Sequence, residues 1–487
     1  MSGIFDINLK IIFRTLGALL LIEGIFMLAC IPMSVFYCHE KCYALLISGL
    51  ITTTVGGAVL LLTRKNLKKN IGKREGYIIV SATWIVISLF GALPFMLSGA
   101  IPSFTDAFFE TISGFTTTGA SILTDIETLP KGILFWRSMT QWVGGMGIIV
   151  LSVAILPALG IGGMQLYAAE MPGPTKDKLH PRITQTAKRL WGIYVLFTIV
   201  ETILLMSGGM NFFDALCHTF GTVATGGFST QNTSVAGYSP FIQYVIIFFM
   251  ILAGTNFTLH YMALHGKIRK VWQNEEFRYF IYLIVFAGLA ITFTLTFTSD
   301  LPFGTAFRKS LFQVVSIITT TGYITDNYLL WPGSMWFIIF LLMFVGGMAG
   351  STGGGIKVVR QLLLFKSSAL ELKRLIHPQA IIPVRLSGKT VSQEIIYKIM
   401  AFFLIYIFIF AFGALVMTLL GLDYQSAIGA SIATLGNIGP GLGQVGPAGN
   451  YAAIPVFGKW FLSLLMLLGR LELFTVLILI SPTFWRK

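Results

Sequence analysis

The stretch "FTDAFFETISGFTTTGASI", residues 104–122, decides how this chain is read. It is apolar enough to enter a bilayer, yet it carries three consecutive threonines and then a glycine. Its helical half, near 105–116, is too short to cross. At ~1.5 Å per residue it reaches only about half way through a ~30 Å hydrocarbon layer. Irregular backbone at that depth leaves N–H and C=O groups unsatisfied, so it is tolerated only where it is buried in protein or lines a water-filled cavity.

The same pattern recurs three times, near 213–223, 305–318 and 424–435. The first copy reads "DAFFETISGFTTTGAS" from Asp106 and the second "DALCHTFGTVATGGFS" from Asp214. The third reads "AFRKSLFQVVSIITTTGY" and the fourth "DYQSAIGASIATLGNIGPG" from Asp423. Each is a short amphipathic half-helix that runs into small and hydroxyl residues and then a glycine. Asp106, Asp214 and Asp423 are expected at the N-caps, where a carboxylate accepts a free N–H. The third copy starts instead from Gly304-Thr305.

Of the 487 residues, 55% are hydrophobic and 11% charged, against about 25% charged in soluble domains. The chain reads as an all-α polytopic membrane protein. The net charge of +14 does not point to nucleic acid, because the basic residues cluster between apolar spans. Ten segments are long enough to span, roughly 11–36, 43–63, 77–99, 133–158, 189–209, 239–263, 278–299, 335–364, 395–420 and 457–481. If they alternate, the basic clusters at 64–74, 175–189, 265–270, 366–374 and the terminal "WRK" fall on one side. That side is the cytoplasm, both termini lie there, and the half-helices enter from outside. The basic runs meet lipid headgroups, with partner docking as a second role. The first apolar run lacks a small-residue cleavage site and reads as a retained helix. In "CHEKC", Cys38 and Cys42 offer too few ligands for an ordinary zinc site and read as unrelated thiols.

The units therefore divide as 1–75, two N-terminal helices with a basic loop; 76–175; 176–270; 271–390, with a Gly-rich loop; and 391–487. Each of the last four is helix, half-helix, extended strand, helix. Their second helices share a mark half way down: "WVGGMG" (142–147), "ILAGTN" (251–256), "FVGGMAG" (344–350) and "LLGRLE" (467–472). Four half-helices entering from one side favour four pseudo-symmetric helix–pore-loop–helix units around one central ion pore over an inverted repeat. Carbonyl oxygens in such a ring can replace the water of a large monovalent cation. Glycine allows φ > 0 without a Cβ clash, and each half-helix points its partial negative end at the ion. A divalent ion would call for carboxylates, and none lies at the glycines.

The segment "FVGGMAGSTGGGIKVVR" (344–360) holds six glycines, each costing ~1 kcal/mol against alanine in a helix. It is expected to unwind at Gly346, Gly347, Gly350, Gly353, Gly354 and Gly355, ahead of Lys357. It is not a Walker A loop, because Ile356 separates the last glycine from the lysine. Arg470 lies roughly 11 residues, or ~16 Å, from the end of its span, too deep to snorkel easily. It reads as a positive barrier beneath the pore; a salt bridge to Glu110 or Glu201 is the alternative.

These residues resemble the Trk/Ktr/HKT superfamily of potassium transporters, in its TrkH branch, over essentially the whole chain. The motifs that carry the resemblance are "DAFFETISGFTTTGAS", "QWVGGMGI", "DALCHTFGTVATGGFST", "GGMAGSTGGGIK" and "LGRLELFTVLIL". It implies a potassium filter at Thr117, Thr118, Gly119; Ala224, Thr225, Gly226; Thr320, Thr321, Gly322; and Asn437, Ile438, Gly439. Gly227 competes with Gly226, and Gly436 and Gly441 leave the fourth register open. It also implies that the glycine-rich loop gates the pore, that the protein is a homodimer in the bacterial inner membrane, and that cytoplasmic TrkA-like nucleotide-binding subunits regulate it. Potassium is the transported ion and no organic cofactor is expected. A carrier for another solute and an intramembrane enzyme are the competing classes. The spans offer no Ser/His pair and no "HExxH", and His218 and His260 read as packed or capping residues.

Overall fold

The computed structural model describes residues 7–38, 42–64, 72–150, 179–299, 301–380 and 382–486. Helices make up the architecture, and the described strands are one antiparallel hairpin, Arg385–Leu386 with Lys389–Thr390. The N-terminal helices Leu9–Ala29 and Cys42–Leu62 lie against each other through small residues. Gly17 faces Gly56, and Gly24 faces Gly49 and Thr53. Such contacts let membrane helices approach closely where no hydrophobic gradient drives them together.

Four half-helices follow: Phe104–Phe115, Phe212–Val223, Phe303–Ile318 and Tyr424–Leu435. All of residues 107–115 are buried, as are 217–223, 312–318 and 429–435. The C-terminal parts of these short helices are thus surrounded by protein, which supplies the shielding that irregular backbone at this depth requires. Of the three aspartates expected at N-caps, only Asp423 holds that place, accepting from Ser426 N at 3.0 Å. Ser103 and Asn211 cap the first two, their side chains accepting from the N–H groups of Asp106 and Asp214 three residues on. The displaced carboxylates find other partners: Asp106 pairs with Lys459 at 2.6 Å, and Asp214 accepts from Thr230 at 2.6 Å. The third half-helix begins at Phe303, after Pro302.

Six described helices are long and apolar enough to cross a membrane: Leu9–Tyr37, Cys42–Leu62, Arg74–Leu97, Thr186–Ser207, Glu275–Thr298 and Gln393–Leu419. Two expected spans are bent instead. Pro240–Gly254 turns by 105° into Phe257–Leu264, and Val456–Arg470 by 120° into Phe474–Ile480. A third, near 335–364, is interrupted between Gly333–Leu342 and Val358–Ile376. The fourth begins as Lys131–Val150, and the rest of it lies outside the described residues, as does most of "CHEKC". The three breaks fall at the small-residue marks of the second helices. Gly144 abuts Phe115 O and Gly469 abuts Leu435 O, so a Cβ at either would stand within 3.0 Å of that oxygen. The glycines let the second helices of the first and fourth units press on the C-terminal ends of their own half-helices, while Gly254 of the second unit lies against Thr319 of the third.

Candidate functional site

All four half-helices end in the same turn. The residues after the C-caps, Thr117, Thr225, Thr320 and Asn437, have φ of 50°, 55°, 57° and 54°. Their N–H groups bond back to Gly114, Thr222, Ile317 and Thr434. The next N–H groups, of Thr118, Gly226, Thr321 and Ile438, reach Ser113, Gly221, Ser316 and Ala433 at 2.7–2.9 Å. This is the Schellman pattern, in which glycine usually takes the left-handed residue. Placing threonine there costs roughly 1–2 kcal/mol each time. Strain of this kind persists where the surrounding structure over-determines it. Two residues beyond each turn comes a second positive φ, at Gly119 (80°), Gly227 (76°), Gly322 (82°) and Gly439 (97°).

This alignment corrects the second strand. The equivalents are Thr225, Gly226 and Gly227, one residue further along than Ala224, Thr225 and Gly226. Ala224 is the C-cap of its half-helix, in the right-handed region, and Gly227 rather than Gly226 takes the positive φ. In the fourth strand the left-handed residue is Asn437 and the positive-φ glycine is Gly439, so Gly436 and Gly441 drop out of the register.

The strands close into a ring. A Cβ on Gly119 would stand within 3.0 Å of Gly226 O, one on Gly227 of Thr321 O, one on Gly322 of Ile438 O, and one on Gly439 of Thr118 O. Each strand's glycine therefore meets the preceding residue's carbonyl on the next strand, and the fourth meets the first. A recess of about 160 Å³ borders all four glycines on the return-strand side. No described donor reaches the carbonyls of Thr117, Thr118, Thr225, Thr320, Thr321, Asn437 or Ile438. These residues are buried, and buried carbonyls are rarely left without a partner.

One position on the half-helices braces the return strands. In the first it is Glu110, which accepts from Ser121 Oγ at 2.9 Å, Ile122 N at 2.9 Å and Arg137 Nε at 2.7 Å. In the second it is His218, bonded to Ser229 Oγ at 2.9 Å and Asp214 O at 2.8 Å. In the third, the Gln313 amide oxygen accepts from Thr325 N at 2.9 Å and Asp326 N at 3.2 Å. The fourth has Ala430, and there Tyr328 donates to Gly441 O at 2.6 Å and Tyr451 to Gly439 O at 2.7 Å. The sequence reading missed this position, because its residue types differ from unit to unit. Arg137→Met would leave Glu110 charged and unpaired in the interior, at a cost of about 3–5 kcal/mol. A fall in the thermal unfolding midpoint of the detergent-purified protein is expected; an unchanged midpoint would contradict the pairing.

The glycine-rich segment is unwound and lies directly under the half-helix ends. Gly354 N donates to Thr320 Oγ1 at 2.7 Å and Thr352 Oγ1 to Val223 O at 3.1 Å, and a Cβ on Gly354 would stand 2.7 Å from Gly436 O. Met348 N and Gly350 O tie the same segment to the break at Gly254–Phe257. Lys357 Nζ folds back onto Gly353 O. Gly346, Gly347, Gly353 and Gly355 line this fold, Gly346 close against Gly354 O. Arg470 is 2% exposed and bonds no carboxylate; it donates to Thr352 O at 2.7 Å and Gly144 O at 3.3 Å. The salt-bridge alternative does not hold here: Glu110 is paired with Arg137, and neither oxygen of Glu201 has a hydrogen-bond partner. Glu472, in the break after Arg470, pairs with Arg360 at 2.6 Å. Among the described residues no cluster of His, Cys, Asp and Glu could hold a metal ion.

Residues 44–487 match the family described as "TrkH: Cation transport protein". The Trk system potassium uptake protein TrkH of Salmonella typhimurium is 47% identical over 439 residues, covering 88% of this chain and 90% of that one. The protein of the same name from Halomonas elongata is 42% identical over 487 residues, covering 99% and 100%. The crystal structure of the potassium transporter TrkH from Vibrio parahaemolyticus superposes with a TM-score of 0.91 at 39% identity, covering 99% of this chain and 100% of that one. The chain belongs to the TrkH family of cation transport proteins.

Proposed function

We propose that this protein takes potassium into a bacterial cell across the inner membrane, through one pore ringed by the four strands. The carrying observation is the set of buried, unpartnered carbonyls on strands that touch in cyclic order. Oxygens so placed suit a dehydrated monovalent cation, and the four half-helix C-termini add a field of the same sign. The filter residues are Thr117, Thr118 and Gly119; Thr225, Gly226 and Gly227; Thr320, Thr321 and Gly322; and Asn437, Ile438 and Gly439. With only one or two glycines per strand, its selectivity is modest, and rubidium passes.

The loop at 345–357 is the gate. It blocks the path from below and is stitched to the ring by side chains and backbone that can let go. Arg470 holds the loop at Thr352 and sets a positive charge beneath the filter. Both termini are cytoplasmic, as the basic loops require. The protein works as a homodimer with a cytoplasmic TrkA-like ring, so nucleotides act on the gate through that partner.

The test is growth of a potassium-uptake-deficient bacterium at limiting potassium. The native chain restores growth. Gly119→Ser, which drives a Cβ into Gly226 O, does not. Failure of well-expressed native protein, or full rescue by the variant, would reject the filter assignment.

A further inference from the structure

The residues just before the positive-φ glycines are Thr118, Gly226, Thr321 and Ile438. Three of them anchor their strands with side chains. Thr118 Oγ1 is 2.8 Å from Thr116 Oγ1 and accepts from Asn437 Nδ2 at 2.9 Å. Thr321 Oγ1 is 2.8 Å from Thr319 Oγ1. Ile438 is completely buried. Gly226 has nothing to anchor with, although its φ is not in the left-handed region and does not require glycine.

Its place is filled from another unit. Gln141, on helix Lys131–Val150 of the first unit, is fully buried with its amide against the second strand. Nε2 donates to Gly226 O at 2.6 Å, and Oε1 accepts from Phe228 N at 3.0 Å. A Cβ built on Gly226 would have Gln141 atoms as its three nearest neighbours, with Nε2 and Oε1 both at 2.7 Å. The amide thus occupies the volume a side chain at 226 would take. The approach is possible because Gly144 and Gly145, one turn on, sit against Phe115 and Ala224 with no Cβ between.

We infer that Gln141 is a specificity-determining positioning residue: it stands in for the missing second-strand side chain and sets the orientation of the Gly226 carbonyl in the ring. This rests on the filter reading above. The bond also makes that oxygen unlike its counterparts on Thr118, Thr321 and Ile438, which accept from no described donor. A carbonyl already engaged by an N–H offers less to an ion, so the ring is electrostatically uneven and the second strand is its weak ligand. Gln141 spans the first and second units, so it also keeps their strands in step.

The test is a pair of complementary substitutions in the full chain, reconstituted in vesicles, with potassium and sodium flux measured on the same preparation. Gln141→Ala is expected to lower the potassium-to-sodium ratio about tenfold, the equivalent of two lost ordinary hydrogen bonds. Gly226→Thr alone collides with Gln141 and loses uptake. Gln141→Ala with Gly226→Thr returns the ratio to within about threefold of the native value, because one side chain replaces the other. Gly119→Ser is measured alongside. If it lowers the ratio while Gln141→Ala does not, or while the double variant is no better than Gln141→Ala, the inference is overturned and the filter stands. If neither Gly119→Ser nor Gln141→Ala moves the ratio, both fall together. Should Gln141→Ala alone fail to fold, the double variant decides: a native ratio supports the exchange, and a low ratio or an unfolded protein overturns it.

Discussion

Gly322→Ala is expected to lower potassium uptake at limiting potassium by about a hundredfold or more. Two costs combine at this position. At φ 82° an L-residue is strained by roughly 1–2 kcal/mol. The new methyl group would also stand within 3.0 Å of Ile438 O, a backbone atom with no freedom to turn away. The collision is relieved only if the third and fourth strands separate, and that removes at least one carbonyl from the ring. A loss of about 2.7 kcal/mol in ion stabilisation is a hundredfold in rate or affinity. The control is Gly288→Ala, where the added Cβ meets only Leu311 at an ordinary 3.6 Å and uptake is expected to persist. Rubidium uptake into vesicles holding either variant separates the two. Equal uptake would mean that the glycine ring does not carry the ion.

Arg470→Ala is expected to act in the opposite direction and raise flux. A buried unit charge a few ångströms from a cation path is worth on the order of 2–4 kcal/mol at the effective dielectric of a protein interior. Removing it should raise conductance by roughly a factor of 30 or more. The same change frees the loop, since Arg470 ties Thr352 O to Gly144 O. Arg470→Lys separates the two effects. A lysine keeps the charge but presents no planar fork, so it cannot hold both carbonyls at once. Charge alone predicts native-like flux from Arg470→Lys; the clamp predicts flux between the native and alanine values, and the two-carbonyl geometry favours the latter. Unchanged or reduced flux from folded Arg470→Ala would contradict both roles.

Much of this was legible in the sequence because the half-helix, the hydroxyl run and the glycine are local features that recur. Four weak signals of the same kind identify a ring that none identifies alone. The register of the second strand was not legible. "VATGG" offers two glycines, and aligning its threonine with the last threonine of "TTTG" loses to the Schellman turn, which needs the left-handed residue at Thr225. The first two N-caps were misplaced, while Asp423 holds its expected place, because aspartate suits both the cap and the third helical residue, and Ser103 and Asn211 compete for the cap. The bends after Gly254 and Arg470 coincide with marked small residues, yet hydropathy runs unbroken across them. Gln313 and Gln141 escaped notice, and the shared bracing role of Glu110 and His218 went unread, for another reason. Their partners lie on return strands or on other units, and no periodicity reports a contact across a pore.

The most direct test of the ring is anomalous scattering from crystals of the protein grown in rubidium. The account predicts a peak on the axis between the carbonyls of Thr118, Gly226, Thr321 and Ile438, lost in Gly322→Ala. A peak elsewhere in the molecule with none on that axis, or four glycines that face no shared space, would contradict it.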